Sequence, residues 1–144
     1  MTLLSAQQST AGRAKAEYLR KSVQSATPAQ LVVMLFDRAL LDLARAERAQ
    51  EQSDFAEAST QLIHAQAIVA ELASALNTET WDGAEQLLGI YNFVGSEMVR
   101  ANVEGDVRRT RECIRILEPI ADGFRQAADA TAAGSPELAA RGIA

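Results

Sequence analysis

The chain predicts an all-α fold: an antiparallel up-and-down four-helix bundle with a short N-terminal strap helix. Three observations lead there. Apolar residues recur at helical spacing through four successive segments. Short polar turns join the segments, which makes neighbours antiparallel. The composition is helical, 48% apolar with only 5% aromatic, and 3 prolines occur in 144 residues. A chain of this length fits one domain and buries roughly two-thirds of its unfolded surface, so its core needs no staple.

Residues 1–12 are rich in Ser, Thr, Gln and Ala without an apolar period, and are expected to be disordered. Residues 13–24 form the strap. Tyr18, Leu19 and Val23 make one side of it and Arg13, Lys15, Arg20 and Lys21 the other. A helix so short is marginal in water and needs something to dock on. The bundle domain, strap included, spans 13–130, and residues 131–144, with their Ala-Gly-Ser-Pro run, read as a flexible tail.

The first long helix opens at Thr27-Pro28-Ala29-Gln30. Thr27 caps, Pro28 fits the first turn without losing a bond, and Gln30 completes a capping box. Val32, Leu35, Phe36, Ala39, Leu43 and Ala46 make its core face, and Asp37, Arg38, Arg45 and Arg48 its wet face, up to about Glu51. Met34 and Leu41, seven residues apart, lie among those charges as a second apolar lane. Ser53 or Asp54 caps the second helix, with Glu57 completing a capping box if Asp54 is the cap, and its core face is Leu62, Ala65, Ile68, Val69, Leu72 and Leu76. Its back carries Ile63, Ala67, Ala70 and Ser74 where charge would be usual. A partner helix can approach closely over such small residues.

Asp82-Gly83-Ala84-Glu85 reads as the capping box of the third helix, with Leu87, Ile90, Tyr91, Val94, Met98 and Ala101 as core. Gly89 and Gly95 suggest close backbone approach. Gly105-Asp106 turns into the fourth helix, which carries Val107, Cys113, Ile114, Leu117, Ile120 and Phe124 and contains Pro119.

Several function classes are disfavoured. The net charge is −5 and no basic face is evident, against a nucleic-acid partner. No signal-like N-terminus or spanning apolar run occurs, so a cytoplasmic chain without membrane insertion is expected. His64 is the only histidine and Cys113 the only cysteine. No nucleophile with its base, phosphate loop or Glu-x-x-His pair is visible, so no enzyme activity, metal or cofactor is expected. An exposed His64 on a bundle would suit a histidine-phosphotransfer domain, but Ala67 and Ile68 stand where such domains usually carry Lys and a small residue.

One ordered set of motifs goes further. Tyr18 then Val23, Ser25-Ala26-Thr27-Pro28, Leu31-Val32-Val33-Met34-Leu35-Phe36-Asp37, Ala65-Gln66-Ala67-Ile68-Val69-Ala70-Glu71-Leu72, Leu87 with Ile90-Tyr91, and Ala101-Asn102 follow in order from Tyr18 to Phe124. In this order and spacing the chain resembles the FliS family of flagellin export chaperones. The resemblance implies a chaperone that binds the disordered C-terminal segment of flagellin, prevents premature polymerisation and delivers it to the flagellar type III export gate. It implies a strap whose Tyr18 and Val23 occupy part of the groove in the free state, with Asp37 and Gln66 as polar positions of the family's helical motifs. The lanes of Met34 with Leu41 and of Ile63 with Ala67 and Ala70 are then where the partner lays its apolar face. Arg38 stands where the family usually has Gly, Thr80-Trp81 replaces an expected glycine pair, and Gln86 stands for Asn. The alternatives are a histidine-phosphotransfer domain using His64 or a generic helical protein-binding adaptor.

Overall fold

The computed structural model describes residues 2–76 and 81–132, with side chains from Thr10 onward. Five helices follow in order: α1 (Thr2–Ser25), α2 (Pro28–Glu51), α3 (Phe55–Ser74), α4 (Ala84–Glu104) and α5 (Val107–Ala132). The tail beyond 132 and the break at 77–80 lie outside the described residues.

The local signals at the start of α2 act as expected. The Gln30 amide donates to Thr27 Oγ1 at 3.2 Å, and the Thr27 amide donates to Gln30 Oε1 at 2.9 Å. These close the capping box and satisfy two amides otherwise without partners. At α3 only half the box forms. Asp54 accepts from the Glu57 amide, while the Glu57 carboxylate accepts from Gln61 instead. At α4 the expected box is absent: Gly83 is the N-cap, without a side-chain cap bond. The helix starts one residue later than the signal implies, so Asp82 stands before the cap, and the Trp81 ring lies 3.0 Å from where a Cβ on Gly83 would stand. A larger residue at Gly83 would need the ring to give by a few tenths of an ångström, and Asp82 is exposed.

The turns after α2 and α4 share one closure. Asp54 N donates to Ala49 O at 2.8 Å and Asp106 N to Ala101 O at 3.0 Å, each across a left-handed residue. That residue is Gly105 in one turn and Ser53, with φ of 57°, in the other. Glycine adopts this backbone without strain, and serine takes it at some cost.

In the packed body, α2 lies against α3 and α5, and α4 against the same two. The four helices therefore form a closed ring in chain order, with α2 and α4 diagonal. The predicted stripes fill its centre. Phe36, Ala39, Leu43, Leu62, Ala65, Val94, Met98, Cys113 and Leu117 are all buried. Phe36 stacks on Phe124 with centroids 5.3 Å apart and tilts against Tyr91 at 6.2 Å. Ile90 departs from expectation and sits at the rim. No side chain at Gly89 builds out the seam beside it, so the α4 core stripe narrows to Leu87, Tyr91 and Val94 there.

Polar ties gather at one end. Gln50 donates to Ala101 O at 3.1 Å and accepts from Thr110 Oγ1 at 2.6 Å, joining α2, α4 and α5 in the dry interior. Asn102 donates to Ser59. Arg109 holds Glu97 and Glu104, and Arg111 holds Glu47 and Glu51; these carboxylates raise both guanidinium pKa values further. At the other end, among the described residues, the only interhelical polar tie is Arg125 to Asp37. That end is filled instead by half-buried Val32, Leu35, Leu76, Trp81 and Phe124.

Cys113 is buried, its Sγ 3.7 Å from Val94 O. Burial pushes its thiol up to about 12, so the reactive thiolate is absent near neutral pH. Iodoacetamide is expected to spare Cys113 in the folded chain and label it in denaturant, as read by intact mass. Labelling of the folded chain at the denatured rate would place Cys113 at the surface.

The strap is the main departure. Helix runs from Thr2, through residues expected to be disordered. Ala, Leu and Gln favour helix, and no proline interrupts before Pro28. Nor, among the described residues, does α1 pack extensively along any of the four bundle helices. Tyr18 is 71% exposed, and Leu19 and Val23 are exposed with it.

Candidate partner-binding surface

The candidate residues fall on separate faces. Tyr18 and Val23 project into solvent from α1. On α2, Leu41 is exposed and Met34 half-buried, on a face they share with arginines. On α3, Ile63, Ala67 and Ala70 are all exposed on the side facing away from the core, Ile63 by 58%. Gln66 is half-buried beside it. Asp37 is an ion-pair partner of Arg125 and ties α2 to α5.

His64 is half exposed, and its Nδ1 meets Asp42 Oδ2. Asp42 is fully buried and also accepts from Arg38 Nε at 3.0 Å. A carboxylate removed from water needs such partners. His64 thus serves to satisfy Asp42 at the α2–α3 seam. Sequence reading missed Asp42, since a lone carboxylate in a helix reads as surface.

Two apolar concavities among the described residues lie elsewhere, along α5. Gln86, Gly89, Ile90, Phe93 and Ile116 line an open groove of about 520 Å³ between α4 and α5. Nearer the apolar end, Trp81, Ile120, Gly123, Phe124 and Ala127 line a second pocket of about 220 Å³. Ile116, Ile120, Gly123 and Ala127 recur at three- and four-residue steps, so both concavities share one stripe of α5. Gly89 and Gly123 leave open space where a side chain would stand. Gly89 therefore marks no close approach of two bundle helices; it opens the seam between α4 and α5. Phe93 is half exposed between Asn92 and Val94 on the polar side of α4, and this misplaced aromatic was the available signal for the groove.

The model of the flagellar protein FliS matches residues 10–131. The chain belongs to the FliS family. Among relatives, the flagellar secretion chaperone FliS of Bacillus subtilis is 29% identical over 110 residues, covering 76% of this chain and 82% of its own. That of Salmonella typhimurium is 31% identical over 110 residues, covering 75% and 82%. A crystal structure of a bacterial flagellar chaperone superposes with a TM-score of 0.66 over 81% of this chain and 96% of that one. At 19% identity this likeness speaks for the fold. The FliS match takes in the last part of α1 as well as the bundle. No helix among the described residues is long and apolar enough to cross a membrane.

Proposed function

We propose that this FliS-family chain is a cytoplasmic export chaperone for flagellin. It binds the disordered C-terminal segment, prevents premature polymerisation and hands the client to the flagellar type III export gate. The observation that carries this reading is the pair of open apolar concavities along one stripe of α5, a groove against α4 opened at Gly89 and a pocket against Trp81 opened at Gly123. A tail that folds on binding must offset its ordering entropy with extended apolar burial. A long shallow seam suits that better than a deep pocket.

The α3 lane of Ile63, Ala67 and Ala70 gives the same tail a second place to lie, as a long segment wraps the bundle. Gln66 beside it supplies a polar anchor, and Asp37 keeps α5 in register with α2. Helix α1 hangs from the Ala26-Thr27 joint with Tyr18 and Val23 free to close over the bound segment.

The test is calorimetric titration of the full chain with a peptide spanning the C-terminal segment of its own organism's flagellin, with circular dichroism on the mixture. One-to-one binding with a gain of helix and a negative heat-capacity change is expected. No binding would leave a helical adaptor for another partner. In the same assay Ala67→Glu or Ala70→Glu is expected to weaken binding at least roughly tenfold, with helicity and melting unchanged because both side chains are exposed. Unaltered affinity would remove the α3 lane from the client surface.

A further inference from the structure

On α2, Met34, Arg38, Leu41, Arg45 and Arg48 follow one another at steps of four and three residues. This is the spacing of a coiled-coil seam, so all five project on one side of the helix. That side faces neither α3 nor α5: Leu41, Arg45 and Arg48 are exposed, and Arg38 is half exposed.

The ion pairs of this helix are lopsided. Its four paired carboxylates are all engaged: Asp37 by Arg125, Asp42 by Arg38 and His64, and Glu47 and Glu51 by Arg111. Yet Arg45 and Arg48 form no ion pair with any described residue, in a chain whose net charge is −5. The nearest helical partners are unsuitable. Arg45 follows Leu41 and precedes Ala49 by four, and the Asp42 three residues before it is buried and taken. Glu51, three residues after Arg48, is turned to α5. The stripe therefore offers two apolar knobs seven residues apart, with unspent positive charge beside and beyond them.

We infer that this face of α2 is a docking surface for an acidic amphipathic helix of another protein. Such a helix sets apolar side chains against Met34 and Leu41 and carboxylates against Arg45 and Arg48. A polyphosphate or nucleic acid would leave the apolar knobs unmatched, and a purely apolar helix would bury the guanidinium groups without partners. The arginine stems add apolar contact of their own. Because α2 and α4 are diagonal in the ring, this surface looks away from the α4–α5 seam. It does not depend on what that seam binds.

The probe is a labelled synthetic helix of three heptads, with leucines at the seam positions and glutamates beside them, followed by fluorescence anisotropy. A counter-probe keeps the leucines and carries lysines instead. The glutamate peptide is expected to bind the full chain and to lose roughly tenfold in affinity between about 0.05 and 0.5 M salt, while the lysine peptide fails. The double variant Arg45→Glu/Arg48→Glu, both sites exposed, should keep its helicity and reverse the preference to the lysine peptide. The same variant should bind the flagellin tail as the parent does. Equal binding of both peptides, no binding of the glutamate peptide, or an unchanged preference in the variant would each overturn the assignment. Loss of tail binding in the variant would overturn the separateness of the two surfaces.

Discussion

Replacing Phe36 with alanine is expected to lower the unfolding free energy by about 3–5 kcal/mol, a large share of the roughly 5–15 kcal/mol that holds a domain together. Phe36 is fully buried on α2, stacked on Phe124 of α5 and tilted against Tyr91 of α4. Its ring joins three of the four helices at the apolar end, where polar ties are scarce. Truncation leaves a void lined by rings that collapse poorly. Urea unfolding followed by circular dichroism should show an earlier midpoint with an unchanged slope. Phe124→Ala should cost less, because Phe124 is only half-buried and already borders a pocket. An effect of Phe36→Ala under about 1 kcal/mol would mean that the aromatic cluster does not hold the helices together.

Gly89→Leu is expected to move stability and binding in opposite directions. Gly89 is helical, and a Cβ there meets nothing within 4 Å. Exchange for a good helix former should therefore stabilise the free chain by about 0.5–1 kcal/mol. The new side chain would project into the groove beside Ile90, Phe93 and Ile116. Affinity for the flagellin tail should then fall at least roughly tenfold. A merely structural glycine would predict no loss of binding, so a variant that melts higher and binds equally well would exclude the groove from the client surface.

The bundle itself was legible because its signals are local or periodic. Thr27, Pro28 and Gln30 announced α2, and the stripe from Phe36 to Ala46 marked its buried side. What escaped depends on how helices meet. Ile90 lies on the edge of the α4 stripe, and only the width of the seam decides whether it is covered. Asp42 reads as solvated until α3 brings His64 over it. Gly89 looks like a close-contact residue until the space beside it is seen to be empty. The Asp82 box fails because α4 starts one residue later, with Gly83 as its cap. The candidate surface was half legible: Ala67 and Ala70 stood out as small residues where charge is usual, whereas the α4–α5 groove needs residues from two helices and the loop before α4.

The uneven distribution of polar ties makes the bundle a tool with a fulcrum. Gln50, Thr110, Asn102, Arg109 and Arg111 lock the helices at one end. Toward the other end, spreading α5 from its neighbours would sacrifice, among the described residues, only the exposed Arg125 pair with Asp37 and apolar contact around Trp81 and Phe124. Apolar contact is the one loss that an incoming apolar segment restores in kind, whereas a broken buried hydrogen bond demands a matching partner. Opening at that end is therefore the movement with the smallest polar cost, while the pinned end keeps the register of all four helices.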